Sequence, residues 1–181
     1  VSGSLLVGLQ TPKSDIDLVV YGSQNSYKVY DSLRTLVNEK DSPVKSYSTE
    51  ELRRLFDFRS KDTTMKFEDF VRTESRKVLQ GKVQKRDYFV RCVKEWKEIK
   101  ESYGAVRYKP IGYAKIRARV VDGSQMILTP CCYKIDNVET VEGTHGKRIR
   151  EIVSFRGRFC EQARKGEVVV AQGKVERVQE L

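Results

Sequence analysis

Two acidic residues separated by one position, Asp15 and Asp17, are the residues of this chain best suited to do chemistry. They lie in a segment that is typical of a strand, and side chains two positions apart on a strand point to the same face. Two carboxylates held side by side repel each other unless a cation lies between them. Mg²⁺ is a hard ion that binds carboxylate oxygens together with substrate phosphates. The pair therefore indicates a site for a metal-bound nucleotide at the end of a strand.

A Gly-Ser step precedes the acidic pair, with Ser4 eleven residues before Asp15. A glycine lets the backbone approach a phosphate closely, and backbone N–H groups donate hydrogen bonds to phosphate oxygens. The hydroxyl of Ser4 adds a further donor. Gly3 and Ser4 are therefore candidates for phosphate binding, and Gly8 allows the chain to turn between this step and the acidic pair.

This combination resembles the signature of the DNA polymerase beta superfamily of nucleotidyltransferases. The resemblance rests on Gly3 and Ser4, on the eleven-residue spacing, and on Ser14 followed by Asp15-Ile16-Asp17-Leu18. The wider sequence is similar to nucleotidyltransferase-domain proteins of archaea and bacteria. The resemblance implies an α/β (α+β) fold with a mixed sheet flanked by helices. It also implies that Gly3, Ser4 and Ser14 bind a nucleoside triphosphate, ATP among the candidates.

The resemblance implies a third carboxylate on a later strand, and Asp87 is the best match because apolar residues follow it. The basic residues at positions 85 and 86 depart from the apolar lead-in of the family. The alternatives to Asp87 are Asp62, Glu68 and Asp69, which lie in or beside helical or loop segments. A different interpretation makes Asp87 an exposed strand residue paired with Arg86 or Arg91.

If the family pattern holds, the three carboxylates Asp15, Asp17 and Asp87 are catalytic and bind Mg²⁺ or Mn²⁺. The implied chemistry is two-metal phosphoryl transfer, in which the metal ions stabilise the attacking and leaving oxygens. Asp15 and Asp17 would bind the metal that arrives with the triphosphate. Asp87 would join them at the metal that activates the acceptor hydroxyl.

The elements that must position these residues alternate between strand and helix patterns. Residues 15–21 predict a strand with a buried middle, and residues 26–37 predict a helix with one apolar face. Ser48 and Glu51 have the spacing of a capping box that opens a second helix. Three further segments are a helix over residues 67–78 with Gly81 as its C-cap, a strand over residues 82–93, and a charged helix over residues 94–102.

The pattern changes after Tyr103-Gly104, and the Lys109-Pro110 step supports a boundary in this region. We therefore predict a nucleotidyltransferase domain over residues 1–103 and a small basic β-rich domain over residues 104–181. The β-rich domain should contain strands near residues 114–121, 125–129, 153–159, 167–171 and 174–178. Only two residues precede Gly3, so we expect the natural N-terminal element of the first domain to be missing.

Alternation in the second domain predicts one apolar face and one basic face on its strands. The basic positions are Lys115, Arg117, Arg119, Arg156 and Arg158. With 35 basic and 25 acidic residues the chain has a formal net charge of +10, which attracts polyanions. These five side chains are therefore candidates for binding the phosphate backbone of RNA or DNA. The alternative is that they form ordinary solvated sheet faces.

Other features narrow the classes of protein. The four cysteines form no C-x-x-C pair, which argues against a structural zinc site and favours free thiols in a cytoplasmic protein. No apolar run approaches the roughly 20 residues that span a bilayer, so no membrane partner is expected. His145 lies in a Gly-containing loop and is expected to be solvated.

The first hypothesis is a metal-dependent nucleotidyltransferase that transfers a nucleoside monophosphate to an acceptor. The alternative is a non-catalytic, nucleotide- or nucleic-acid-binding regulatory protein with the same fold.

Overall fold

The computed structural model describes residues 1–12, 14–62, 65–144 and 148–180. The predictions for His145 and for the side chain of Asp62 lie outside the described residues. The chain divides into two compact units. Unit 1 consists of Val1–Val93 with Ile127–Thr129, and unit 2 consists of Lys94–Met126 with Pro130–Leu181. Within the described ranges, no helix combines the length and apolar character that a membrane span requires.

Unit 1 is a mixed sheet with helices, as predicted from the family resemblance. Its elements are α1 (Gly3–Leu6), β1 (Ile16–Tyr21), α2 (Ser23–Asn38), β2 (Val44–Lys45), α3 (Thr49–Arg59), α4 (Phe67–Glu74), β3 (Gln80–Val83) and β4 (Arg86–Val93). The sheet order is β1-β4-β3-β2, with β1 parallel to β4 and the other two pairs antiparallel. This order places β4 beside β1, so residues of both strands share one surface.

The two faces of β4 differ sharply in burial. Tyr88, Val90 and Cys92 are at most 5% exposed, so this face packs in the core of unit 1. The opposite face carries Asp87, which is exposed, and Phe89, which is half-buried. Since paired residues on neighbouring strands point the same way, Asp17 lies on the same face as Phe89, its partner in register. The acidic residues of β1 and β4 therefore share the face that the core leaves open.

In unit 1, the prediction that rests on a few neighbouring residues is confirmed. Ser48 is the N-cap of α3, and its capping box with Glu51 is complete in both directions. The predicted helix over 67–78 is wrong at its end, because α4 stops at Glu74 and Gly81 lies inside β3. The predicted single strand over 82–93 is a hairpin of β3 and β4, turning at Gln84 with a φ of 56°.

Unit 2 is an antiparallel sheet built from long strands. Its strands are β5 (Val106–Asp122), β6 (Cys131–Gly143), β7 (Glu151–Ser154) and β8 (Val168–Glu180), in the order β7-β6-β5-β8. Alternate residues of β5 are buried as predicted, with Ile116, Ala118 and Val120 each at most 4% exposed. They pack against buried residues of β6, including Tyr133, whose hydroxyl donates to the carbonyl of Phe159 at 2.6 Å.

Several predictions for the second half of the chain are wrong. The predicted helix over 94–102 is reduced to a 3₁₀ turn at Trp96–Glu98. Residues 125–127 form turns, with only an isolated bridge from Leu128 to Cys92, instead of the predicted strand over 125–129. The segment 153–159 is not one strand, because β7 ends at Ser154 and a 3₁₀ turn follows at Gly157–Phe159. The two strands predicted over 167–178 are one strand, β8.

The Lys109-Pro110 step lies inside β5 and does not interrupt it. Pro110 pairs with Glu176 of β8, and the register shifts between Pro110 and Gly112. β6 joins β5 only from Ala114 onward, so β5 has an unpaired edge at the proline. A proline is tolerated there because it removes no N–H that the ladder needs.

Candidate nucleotide site

The acidic pair sits at the start of β1. Asp15 is exposed and immediately precedes β1, Asp17 is half-buried within the strand, and the two carboxylates lie near enough for their charges to interact. Burial raises the pKa of Asp17, the neighbouring charge of Asp15 raises it further, and the guanidinium of Arg91 partly offsets both effects. The two carboxylates repel each other, and their oxygens are the kind of ligand that a hard divalent cation binds. The pair therefore fits such a cation.

Gly3 lies directly against the second carboxylate of this pair. A Cβ added to Gly3 would collide with Oδ2 of Asp17. Gly3 also has a φ of +63°, which L side chains rarely adopt. The backbone N–H of Ser2 donates to the carbonyl oxygen of Asp17 at 2.8 Å, so the Gly-Ser step is tied to β1. The structure therefore brings together Gly3 and Asp17, two parts of the motif that lie fourteen positions apart in the sequence.

The two serines of the motif have different surroundings. Ser4 is half-buried in α1, and its carbonyl oxygen accepts the N–H of Leu9 at 3.0 Å. Ser14 closes the turn before β1, because its Oγ accepts the N–H of Thr11 at 2.9 Å and its own N–H donates to the Thr11 carbonyl. The turn delivers Asp15 to the start of the strand. Nucleotide binding by Ser4 and Ser14 stays a prediction.

Asp87 lies on β4, one position before Tyr88, which pairs with Ile16 of β1. Its Oδ1 is 3.1 Å from the ammonium of Lys82, the residue opposite it on β3. The hydroxyl of Tyr47 also bonds to this carboxylate; burial and then the charge of Asp87 raise the pKa of Tyr47. Asp87 is therefore paired with Lys82 and Tyr47, and the alternative in which it pairs with Arg86 or Arg91 is wrong.

No group of three carboxylate, imidazole or thiol side chains among the described residues is arranged to hold one metal ion. Asp15, Asp17 and Asp87 share a face, but Lys82 and Tyr47 engage Asp87. A cation shared with the pair would compete with Lys82 and Tyr47 for the Asp87 carboxylate. The role of Asp87 as third ligand therefore stays a prediction.

The alternatives to Asp87 lie on helix α4. Asp69 pairs with Arg72 at 2.8 Å, one turn further along the same helix. Glu68 is in the first turn of α4, as is Asp69. Neither residue is on a strand that pairs with β1, so Asp87 remains the better match to the family pattern.

Sequence reasoning missed Arg91 as a member of the site. It pairs in register with Val19, two residues beyond Asp17, so it lies on the face of the acidic residues. Its guanidinium lowers the pKa of Asp17 and lies 5.8 Å from the centre of the Phe89 ring. The alternation Asp87-Phe89-Arg91 was visible in the sequence, but the parallel pairing of β4 with β1 was not.

A second missed feature is a buried ionic network between α3, α4 and β3. Glu74 accepts from Lys77 at 2.6 Å and from Arg59 at 2.9 Å, and both carboxylate and ammonium are at most 2% exposed. The side chain of Gln80 bonds to both Glu74 and Arg59. Arg59 also acts electrostatically on Tyr47, the residue that bonds to Asp87. The network joins α3 and α4 to β3, the strand on which Lys82 lies.

The basic strand face of unit 2 is accompanied by acidic residues of β6. Arg119 forms two hydrogen bonds with the carboxylate of Asp136, at 3.1 and 3.0 Å, and Lys115 pairs with Glu142 at 3.2 Å. Arg117 is opposite Glu139 in register. Arg156 and Arg158 were predicted on a strand, but they lie at and within the 3₁₀ turn, where Arg158 stacks on Phe159 at 5.1 Å. Phosphate binding by these five residues stays a prediction.

The comparisons with known proteins agree with the fold and the motif. The nucleotidyltransferase domain family matches residues 1–101, and the chain belongs to this family. This confirms the resemblance to the DNA polymerase beta superfamily, and it supports nucleotidyl transfer as the general function of the domain. The family generally uses divalent metals and a nucleotide substrate.

The chain is also similar to an uncharacterized protein of Methanocaldococcus jannaschii. It is 37% identical over 178 residues, which cover 98% of this chain and 50% of the relative. The chain therefore spans about half the length of this curated relative. No solved structure matches the chain significantly.

Proposed function

We propose that unit 1 transfers a nucleoside monophosphate from a nucleoside triphosphate to an acceptor hydroxyl, with Mg²⁺ or Mn²⁺ as cofactor. The observation that carries the proposal is the contact of Gly3 with Asp17, beside Asp15 on the same face. This contact puts the backbone of the Gly-Ser step beside one carboxylate of a pair that repel each other. A triphosphate with its cation satisfies both, because the phosphates accept the N–H bonds and the cation neutralises the carboxylates.

Each residue has a separate task in the proposed reaction. Asp15 and Asp17 hold the cation that neutralises the triphosphate, and Gly3 and Ser4 orient the phosphate chain. Asp87 would join the pair at a second cation and so orient the acceptor hydroxyl, whose oxygen attacks the α-phosphorus. The bond from this phosphorus to the bridging oxygen breaks, pyrophosphate leaves, and the hydroxyl proton passes to solvent. Bound divalent cations supply charge stabilisation for the attacking and leaving oxygens.

A second candidate function is nucleotide-dependent regulation without turnover. The observation that favours it is the engagement of Asp87 by Lys82 and Tyr47, which leaves only two carboxylates for a cation. Such a protein would bind a metal-nucleotide at Asp15 and Asp17 and would transfer nothing. Nucleotide binding without transfer to RNA, DNA, protein or small hydroxyl compounds, with each of the four triphosphates, would favour regulation over catalysis.

The deciding experiment compares Asp15→Asn and Asp17→Asn with Asp57→Asn, an exposed position on α3. Calorimetry with a non-hydrolysable triphosphate should show Mg²⁺-dependent binding in the parent and in Asp57→Asn. The two site variants should lose at least about a hundredfold in affinity, because the amide cannot replace an anionic ligand. Unchanged binding in either variant contradicts the assignment.

Stability measurements on the same variants separate a binding defect from unfolding. The folded-state pKa of Asp17 is raised, chiefly by burial and then by Asp15. A carboxyl group with a raised folded pKa is less stable when ionised, so this group opposes folding at neutral pH. Asp17→Asn should therefore be as stable at pH 7 as the parent or more stable. Its loss of binding then reflects the site.

A further inference from the structure

A row of charged side chains crosses the sheet of unit 1 beside Asp87. Asp87 on β4 is opposite Lys82 on β3, and Lys82 is opposite Lys45 on β2. Neighbouring strands lie about 4.8 Å apart. The two lysines are therefore about one and two strand spacings, roughly 5 and 10 Å, from the backbone of Asp87. This row begins at the residue that we propose orients the acceptor hydroxyl.

A cleft of about 450 Å³ opens at the lysine end of this row. Its lining residues are polar or charged: Lys45, Ser46, Ser48, Glu51, Lys82, Gln84 and Lys85. The lining contains three lysines and one carboxylate, that of Glu51, and Lys82 also pairs with Asp87 beside the cleft. Glu51 is already engaged, because its Oε2 accepts the N–H of Ser48 at 2.8 Å and its Oε1 is 3.5 Å from Lys82. The cleft is therefore positively charged.

The cleft also has hydrogen-bond donors in excess of its acceptors. An ammonium group has three donors, and Lys45 uses two of them, on the carbonyls of Glu39 and Lys40. Lys82 uses two, on Glu51 and Asp87. Lys85 makes no ion pair or hydrogen bond with any described residue.

The serines add further donors. Ser48 Oγ accepts the N–H of Glu51 at 3.3 Å in the capping box, which leaves its own proton to donate. Donors of this number are best satisfied by a tetrahedral oxyanion, because a phosphate offers three or more acceptor oxygens at one point. A neutral group would leave the excess ammonium charge unmatched.

We propose that this lysine cleft binds a phosphate group of the acceptor, so that the acceptor is a phosphorylated sugar or nucleotide unit. The inference rests on the proposed function, because it takes Asp87 as the position of the attacking hydroxyl. A phosphate in the cleft lies one to two strand spacings from that position. A hydroxyl and a phosphate on the same sugar unit span a separation of this order. Protein side-chain hydroxyls and unphosphorylated sugars lack the anion that the cleft is built to hold.

The test uses ribose 5-phosphate and ribose as matched probes, because neither carries a base or a triphosphate. Binding is followed by NMR on the intact chain, with EDTA present to remove divalent cations from Asp15 and Asp17. Ribose 5-phosphate should bind at least about tenfold more tightly than ribose. Equal affinities overturn the proposal.

Charge reversal at Lys85 locates the binding. Lys85→Glu should weaken ribose 5-phosphate binding at least about fivefold, because it removes a donor and places a second carboxylate in the cleft. Lys28→Glu, on the exposed face of α2, changes the net charge equally and should leave the affinity within about twofold of the parent. Equal losses in both variants overturn the proposal, since they indicate a general charge effect.

Two further arms separate this proposal from the proposed function and identify the source of the phosphate. Asp15→Asn should retain ribose 5-phosphate binding even though it loses metal-dependent triphosphate binding. Loss of ribose 5-phosphate binding in Asp15→Asn overturns the proposal that the cleft binds phosphate separately from the metal site.

A 5′-phosphorylated dinucleotide that binds about tenfold more tightly than ribose 5-phosphate supports a nucleic-acid end as the acceptor. Equal affinities support a small phosphate ester.

Discussion

Gly3 and Asp17 are in contact through the backbone of one and the carboxylate of the other, with no room for a Cβ between them. The contact explains why a glycine stands at this position for two reasons at once, since Gly3 also adopts a φ of +63°. It couples the phosphate-binding step to the metal-binding pair. A change at either residue is therefore expected to alter both binding functions together.

The first prediction tests this contact with two glycine substitutions. Gly3→Ala and Gly8→Ala both place a Cβ on a residue with positive φ, at +63° and +71°. Each should cost about 1–2 kcal/mol of stability for that reason. Only at Gly3 does the Cβ meet the Asp17 carboxylate; at Gly8 it meets no atom within 4 Å. Metal-nucleotide affinity should fall at least about tenfold in Gly3→Ala and remain near the parent value in Gly8→Ala. Equal affinities, measured by calorimetry, would contradict the contact as a determinant of binding.

The second prediction concerns the buried network around Glu74. Glu74→Gln leaves the ammonium of Lys77 and the guanidinium of Arg59 without their carboxylate, and should destabilise unit 1 by about 3–5 kcal/mol. Asp69→Asn breaks an exposed ion pair with Arg72 on the same helix, and should cost less than about 1 kcal/mol. Urea denaturation followed by the far-ultraviolet dichroism of the helices gives both values. Similar costs for the two variants would show that the network adds nothing beyond a surface pair.

The third prediction concerns the competition for Asp87. Lys82 lies 3.1 Å from its carboxylate, so a divalent cation competes with an ammonium for binding there. Lys82→Gln removes the competitor and should raise Mn²⁺ affinity about threefold, the modest size expected for a partly exposed pair. Electron paramagnetic resonance of free Mn²⁺ measures this without nucleotide. Lys28→Gln is the control for the change in net charge. If Lys82→Gln binds Mn²⁺ no better than this control, Asp87 does not bind the cation.

The parts of unit 1 that the sequence predicted are those that depend on neighbouring residues. The capping box of Ser48 and Glu51 and the strand that carries Asp15 and Asp17 each need only a few consecutive positions. The family motif also is short and lies at one end of the domain. These signals were enough to identify the nucleotidyltransferase domain.

The parts that the sequence did not predict depend on strand pairing. Gln84 adopts a φ of 56° in the hairpin between β3 and β4, although no Asn-Gly or Asp-Gly signal marks a turn there. That hairpin brings Lys82 opposite Asp87. Arg91 reaches Asp17 only because β4 runs parallel to β1. The surroundings of the third carboxylate therefore could not be read before the pairing was known.

In unit 2, too, short-range patterns could be predicted from the sequence and strand pairing could not. The buried alternation of Ile116, Ala118 and Val120 was predicted, because one face of β5 packs in the core. The acidic partners of the basic face, Asp136 and Glu142, belong to another strand and were not anticipated. They reduce the positive potential that the sequence of β5 alone indicates.

The last prediction decides whether this face of unit 2 binds nucleic acid. Each phosphate neutralised by a basic side chain releases counterions, so affinity falls with salt by a log–log slope of about −0.7 per contact on a single strand. Replacing Arg117 and Arg119 with glutamine should make the slope shallower by about 1.4 for RNA single strands and leave base preference unchanged. Fluorescence anisotropy with a labelled oligonucleotide, between low and physiological salt, gives the slope.

Two control variants make the result specific to the face. Arg54→Gln combined with Arg72→Gln removes the same charge from exposed positions of unit 1, with side chains 70% and 76% exposed, and should leave the slope unchanged. Asp136→Asn removes the carboxylate that holds Arg119, and should strengthen binding because the guanidinium no longer exchanges a partner for a phosphate. If Asp136→Asn leaves binding unchanged, and both double variants have the slope of the parent, the charged residues of β5 and β6 serve only one another. The acceptor phosphate would then have to be held by unit 1 alone, where the cleft between Lys45 and Lys85 provides the donors.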